Sequence, residues 1–112
     1  MPLQYFEPDA ALEEVLRAIK QDGVAIITNA ANEKKLIRFT SELEPYLTRT
    51  PYGRDDFTGK KTRRTGALIA RTPSSHDLVM DKRILSLAKQ LLGPYTEKLT
   101  LHLTQATTIY PG

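Results

Sequence analysis

The stretch LTLHLTQATTIYPG, residues 99–112, alternates apolar and polar side chains and therefore predicts a β-strand. We expect this strand to span 98–109, which is long for a globular protein and typical of a strand with neighbours on both edges. The face predicted to contact the core carries Leu99, Leu101, Leu103, Gln105, Thr107 and Ile109. This face is apolar at its start and becomes polar at Gln105, so the amide needs an explanation.

Gln105 has two interpretations. Either the strand leaves the core at this point and the amide is solvated, or the face changes from core to pocket lining and the amide contacts a ligand. Burying an amide without a hydrogen-bond partner costs about 1–3 kcal/mol, so a buried Gln105 would need a partner. The pattern alone favours the solvated interpretation.

The first part of the chain predicts two helices separated by a strand. The stretch DAALEEVLRAIKQDG, residues 9–23, has one apolar stripe, with Asp9 as the expected N-cap and Gly23 following the last turn. The next residues, VAIIT at 24–28, predict a short buried strand. A second helix is expected over 31–47, where Pro45 weakens the last turn.

The second part predicts a loop, two more strands and a helix. We expect a loop over 48–62, a strand over Gly66–Ala70, and one helical turn within 72–80. The clearest helix covers 81–94, with Asp81 as its N-cap and Gly93-Pro94 at its end. The long strand follows. An alternating, half-exposed strand after packing helices is typical of the entry to a β-barrel or jelly roll, and not of a doubly wound sheet.

Composition limits the class of protein. The chain has 112 residues, 40% hydrophobic and 26% charged, which predicts one globular domain. It contains no cysteine, which excludes disulfides and thiolate metal sites. Without an apolar run of about 18 residues or a signal-peptide pattern at the N-terminus, we expect no membrane partner and a cytoplasmic location.

The net charge of +3 is concentrated in RDDFTGKKTRR, residues 54–64. Its basic part, KKTRR at 60–64, is short, follows Asp55 and Asp56, and has no interleaved aromatic residues, so we expect no nucleic-acid partner. A solvated loop explains Lys60 and Lys61.

Several stretches together resemble the N-terminal half of the phytanoyl-CoA dioxygenase family. They are DGVAIITNA (22–30), RRTGALIARTPSSHDLVMDKRILSLAKQLLG (63–93) and GPYTEKLTLHLTQATTIYPG (93–112). No single motif is diagnostic, and the similarity lies in their order. The resemblance implies an α+β fold: the N-terminal helices and first strands of a double-stranded β-helix (jelly roll), truncated before the iron motif. Residues 1–112 would form a single partial domain.

The same resemblance implies an Fe(II)- and 2-oxoglutarate-dependent dioxygenase that hydroxylates a small organic substrate. The family's His-x-Asp pair and distal His, which bind the iron, have no counterparts in this sequence. We therefore expect the chain alone to be inactive, with no catalytic residue, no metal ligand and no bound cofactor. By resemblance, Gln105 faces the barrel interior and Arg64 faces the cosubstrate carboxylate, which suits a guanidinium group. The family's Lys before Pro-Gly is replaced here by Tyr110.

Two further expectations complete the analysis. His76 is followed directly by Asp77, and His102 has no acidic residue within two positions, so neither spacing predicts a metal ligand. A truncated barrel would expose the long strand, so we expect the chain to self-associate through it. The alternative to an oxygenase fragment is a small non-catalytic α/β binding or interaction module.

Overall fold

The computed structural model describes residues 2–112 as short strands alternating with helices. The elements in chain order are β1 (Tyr5–Phe6), α1 (Leu12–Asp22), β2 (Ile26–Ile27), α2 (Glu33–Arg49), β3 (Thr62–Gly66), α3 (Leu68–Arg71), α4 (Ser75–Val79), α5 (Lys82–Leu92) and β4 (Gln105–Ile109). They belong to two compact units. The first comprises the described part of Met1–Asn32 together with Val79–Thr100, and the second comprises Glu33–Leu78 and Leu101–Gly112.

The first unit is a small parallel β-pair with two helices. β1 and β2 pair through Tyr5 opposite Ile26 and Phe6 opposite Ile27, and α1 connects them. α1 also contacts α5. The buried apolar side chains of this unit are Val15 and Ala18 on α1 and Leu87 on α5. The helical periodicity that the sequence shows in 9–23 and 81–94 therefore corresponds to the faces that form this core.

The ends of these two helices test the capping predictions. Asp81 is confirmed as the N-cap of α5, since its carboxylate accepts hydrogen bonds from the backbone N–H groups of Arg83 (3.0 Å) and Ile84 (3.1 Å). Gly23 is also confirmed, with φ of 80° after the last residue of α1. The prediction of Asp9 as the cap of α1 was wrong. A turn closed by the Ala10 N–H and the Glu7 carbonyl separates Asp9 from the helix.

The second unit is organised around an antiparallel ribbon of β3 and β4. The paired residues run from Thr62 opposite Ile109 to Gly66 opposite Gln105. Because directly opposed residues share a face, Thr65 and Ala106 lie on one side of the ribbon, and Arg64 and Thr107 lie on the other. Thr65 is fully buried, and α2 contacts this strand. The first side is therefore the packed face of the ribbon, and the second is its open face.

The predicted boundaries of these two strands were wrong. The apolar run after Gly66 forms α3 instead of a strand, because Ala67 takes a left-handed conformation with φ of 55° and turns the chain. Regular β-structure toward the C-terminus covers only Gln105–Ile109 and not the whole of 98–109. β3 offers five residues for pairing, so the ladder ends at the pair of Gly66 and Gln105.

α2 continues through Pro45 to Arg49, so the expected disruption of its last turn was also wrong. Proline removes one N–H donor from a helix, but polar side chains stabilise the turn that follows it. Arg49 Nε donates to the Pro45 carbonyl at 2.8 Å, and Thr50 Oγ1 donates to the Tyr46 carbonyl at 2.6 Å. The Tyr46 carbonyl is one of the four that a helix end leaves without an intrahelical partner, and the Thr50 hydroxyl supplies one.

The apolar face predicted for the C-terminal strand is exposed and does not contact the core. Leu101, Leu103 and Ile109 keep 54%, 62% and 76% of their surface accessible. Thr104, Ala106 and Thr108 are half-buried instead. Ala106 and Thr108 lie opposite Thr65 and Arg63, so they belong to the packed face of the ribbon. Within residues 2–112 each sheet has two strands and no barrel closes, so the jelly-roll fold stays a prediction.

We predict that this apolar row makes the chain self-associate. Within the described residues β4 has a strand partner on one edge only, and an open edge beside exposed leucines favours pairing with a second chain. Leu101→Lys should raise the monomer fraction in size-exclusion chromatography with light scattering over a concentration series. Gln90→Lys, which adds the same charge to an exposed position on α5, should not. A wild-type chain that stays monomeric throughout would contradict the prediction.

Candidate functional site

The two adjacent arginines of β3 occupy different environments. The Arg63 guanidinium carbon lies 4.3 Å from the ring centroid of Tyr52 and 5.5 Å from that of Tyr110. The two rings lie 5.5 Å apart, and an Arg63 terminal nitrogen donates to the Leu47 carbonyl at 3.4 Å. Arg63 thus joins β3, the preceding loop and the residue after β4. We refer to Tyr52, Arg63 and Tyr110 as the aromatic clamp, and its role is structural.

Arg64 lies on the open face of the same strand. Its side chain is exposed, and one terminal nitrogen donates to the Thr58 carbonyl. Arg64 also contributes to a pocket of about 440 Å³. The pocket is formed within the second unit by the end of α2, β3 and the end of α3, and its lining residues are Tyr46, Arg49, Thr50, Pro51, Arg64, Gly66 and Arg71.

Positive charge dominates this pocket. Three of its seven lining residues are arginines, and none is acidic. The guanidinium carbons of Arg49 and Arg71 lie 5.2 Å and 5.1 Å from the ring centroid of Tyr46. Within residues 2–112 no carboxylate lies at ion-pair distance from Arg49, Arg64 or Arg71. Guanidinium groups present a planar fork of donors, so the pocket is chemically suited to an anion.

A tight turn holds the carbonyl that contacts Arg64. The backbone N–H and the hydroxyl of Thr58 both donate to Asp55 Oδ1 at 2.7 Å. The Gly59 N–H donates to the Asp55 carbonyl at 2.9 Å, and Gly59 has φ of 85°, which favours glycine. The hydrogen bonds from Thr58 stabilise the charged carboxylate and lower the pKa of Asp55 below its usual value.

Gln105 lies on the same face of the ribbon as Arg64 but does not line the pocket. It lies opposite Gly66 at the end of the ladder, so it shares the open face with Arg64. Its side chain is exposed, and its amide nitrogen donates to Thr107 Oγ1 at 3.0 Å. The structure therefore has the two candidate residues on one face of the ribbon, but the pocket is lined by Arg64 and not by Gln105. A cosubstrate contact for either residue stays a prediction.

The histidines do not form a metal site in the described part of the chain. His76 Nε2 lies 2.7 Å from the Ile69 carbonyl, and the side chain of His102 is exposed. Residues 2–112 contain no group of three His, Cys, Asp or Glu side chains able to hold a metal ion. These residues accordingly do not fit the iron site that the family resemblance implies.

Sequence reasoning missed most of the pocket. Tyr46 appears in the sequence as one more apolar position of α2, and Arg49 and Arg71 appear as isolated surface charges. They meet because α2 ends beside β3 and because Ala67 turns the chain into α3. Of the residues that line the pocket, Arg64 was named as a candidate from the sequence, through the family resemblance.

The chain is similar in sequence to a known protein. Over 65 residues the chain is 35% identical to a protein named dioxygenase swnH2 from the fungus Arthroderma benhamiae. The match covers 56% of this chain and 21% of the relative, so the chain spans about a fifth of the length of the curated relative it matches. No protein-family profile matches the chain. Among the helices of residues 2–112, none has the length and apolar character needed to cross a bilayer.

The two arginines of β3 should respond differently to replacement by lysine. Arg63→Lys loses the planar group that lies over two tyrosine rings, so it should lower the free energy of unfolding by about 1–2 kcal/mol. Arg64→Lys is the matched control on the adjacent exposed position and should change stability by less than about 0.5 kcal/mol. Urea unfolding at a concentration where the chain is monomeric measures both. Equal effects would contradict the assignment of Arg63 to the clamp.

The Asp55 turn should weaken in acid. Its folded-state pKa is lowered, so its contribution to stability is fully present above the usual pKa of 3.8 and is lost as the pH falls through the folded-state value. Asp55→Asn should therefore be less stable than wild type at pH 6, and the difference should shrink below about pH 4. Asp56→Asn, at the neighbouring exposed position, is the control. A difference that is independent of pH would contradict the role of the Asp55 carboxylate.

Proposed function

We propose that this chain is the N-terminal part of an Fe(II)- and 2-oxoglutarate-dependent dioxygenase of the phytanoyl-CoA dioxygenase type. The observation that carries the proposal is the 35% identity over 65 residues to a protein named dioxygenase. The family resemblance of the sequence supports the more specific assignment to the dioxygenases that depend on Fe(II) and 2-oxoglutarate. The complete protein would hydroxylate a small organic substrate.

In this proposal residues 2–112 help to bind the cosubstrate and do not supply the iron ligands. Bound iron and 2-oxoglutarate would supply the oxidising chemistry, and the iron ligands would lie in a segment other than residues 2–112, which hold no suitable group. Arg64 is the residue proposed to contact the cosubstrate carboxylate. Its guanidinium is exposed on the open face of the ribbon and has no carboxylate at ion-pair distance within the described residues.

Gln105 is proposed to assist Arg64 in binding the cosubstrate. It is on the same face as Arg64, at the last pair of the ladder, and its amide already donates to the neighbouring hydroxyl of Thr107. An amide offers both donors and an acceptor, so it suits a ligand that carries carboxylate and carbonyl oxygens. The exposed apolar row of Leu101 and Leu103 would be covered by further strands in the complete barrel.

The test begins with the coding sequence beyond residue 112. We expect it to encode a His-x-Asp motif, and we expect the complete protein, supplied with Fe(II), to form succinate from 2-oxoglutarate. Gln105→Leu and Arg64→Gln should raise the KM for 2-oxoglutarate while the melting temperature stays within a few degrees of wild type. Arg54→Gln, which removes an exposed arginine outside the pocket, is the control.

Two results would contradict the proposal. One is a complete protein without the His-x-Asp motif and without 2-oxoglutarate turnover, which would favour the non-catalytic binding module. The other is a Gln105→Leu enzyme with unchanged kinetics and a changed melting temperature, which would assign the amide to stability alone.

A further inference from the structure

The pocket beside β3 holds a set of arginines whose charge the described part of the chain leaves unbalanced. Arg71 contacts the Tyr46 ring, and within residues 2–112 its guanidinium has neither a hydrogen-bond acceptor nor a carboxylate partner. Arg49 uses its Nε on the Pro45 carbonyl, which leaves its terminal nitrogens available. Both guanidinium groups lie near one tyrosine ring, and cation–π attraction favours these positions.

Like charges held together without a counter-charge raise the free energy of the folded state, and an anion that binds between them recovers that cost. The volume of about 440 Å³ is within the range of small-molecule sites. Arg64 is the residue proposed to contact the cosubstrate, so Arg49 and Arg71 are the two cations left for this ligand. Two cations favour a ligand group with two negative charges.

We propose that Tyr46, Arg49 and Arg71 form a binding site for a dianionic group of a small-molecule ligand, with Arg64 at its margin. Phosphoryl groups and dicarboxylates share this chemistry, since both offer several anionic oxygens that pair with guanidinium forks. The inference deepens the proposed function by naming an anionic substrate class. It rests on that function only where it treats the bound ligand as the enzyme's substrate. The binding itself requires neither iron nor oxygen.

The structure gives each residue a distinct part in this site. Arg71, at the end of α3, supplies the guanidinium with no competing partner. Arg49, at the end of α2, is oriented by its bond to the Pro45 carbonyl. Tyr46 is half-buried and keeps the two cations at similar distances from its ring. Replacing Tyr46 with Leu should weaken binding although no charge is lost.

Calorimetric titration of the full 112-residue chain in low-salt buffer tests the site with three probes: inorganic phosphate, succinate and chloride. We expect saturable one-to-one binding of phosphate or succinate and none of chloride. The dianion that binds with the higher affinity indicates whether the natural ligand group is a phosphoryl group or a dicarboxylate. Arg71→Gln and Arg49→Gln should each weaken binding at least tenfold, and Arg71→Lys should bind with intermediate affinity because it keeps the charge but loses the planar fork.

Arg54→Gln is the matched control, since it removes one arginine of the second unit that does not line the pocket. It should change the dissociation constant less than twofold. Circular dichroism of every variant establishes that the fold is retained, and Arg49→Gln replaces Arg71→Gln if the latter unfolds. Binding that is not saturable, or that Arg54→Gln weakens as much as Arg71→Gln does, would overturn the site. Failure of 2-oxoglutarate turnover in the complete protein would leave this result unaffected.

Discussion

The register of β3 against β4 is the constraint on which the second unit depends. Arg64 pairs with Thr107, and Thr65 pairs with Ala106, so alternate residues point to opposite faces of the ribbon. A slip of one residue would exchange the two faces. Arg63 would then leave the two tyrosine rings, and Arg64 would enter the packed face. One pairing geometry therefore decides which arginine is structural and which is available to a ligand.

The elements around the ribbon fix this register. On the packed face, the hydroxyl groups of Thr50 and Thr65 lie 2.8 Å apart and join the end of α2 to the middle of β3. At the other end, the Tyr110 N–H donates to the Lys61 carbonyl at 2.9 Å, which continues the pairing beyond the last residues of the strands. The aromatic clamp occupies the same end. Because α2 is held here, its last turn brings Tyr46 and Arg49 beside β3 and forms the wall of the pocket.

The sequence predicted the elements whose signals are local. The apolar stripes of α1 and α5, the Asp81 cap and the left-handed Gly23 were correct, because each depends on side chains within a few positions. The strands were predicted poorly, since their limits depend on partners. GALIA at 66–70 has the composition of a strand, but pairing stops at Gly66 and the chain turns at Ala67.

The candidate site shows the same limit. Arg64 was found because the family resemblance implies a basic residue before the middle strand. Gln105 was found because it interrupts an apolar face and because the resemblance implies an amide at this position. Alternation identified two faces of the C-terminal strand, but the prediction that the leucine face contacts the core was wrong. The threonine and alanine face packs, and the leucine face is exposed. Arg49 and Arg71 carry no signal in the sequence, because only the ends of two helices bring them to Tyr46.

The exchange rate of the arginine Nε–H protons, measured by NMR on a chain labelled with ¹⁵N-arginine, tests the register most directly. Arg63 Nε is buried and inaccessible to solvent, whereas Arg64 is exposed. The Nε–H proton of Arg63 should therefore exchange with water at least tenfold more slowly than that of Arg64, and cross-strand contacts should connect Arg64 with Thr107. Equal exchange rates, or slower exchange at Arg64, would contradict the register and with it the assignment of the two arginines.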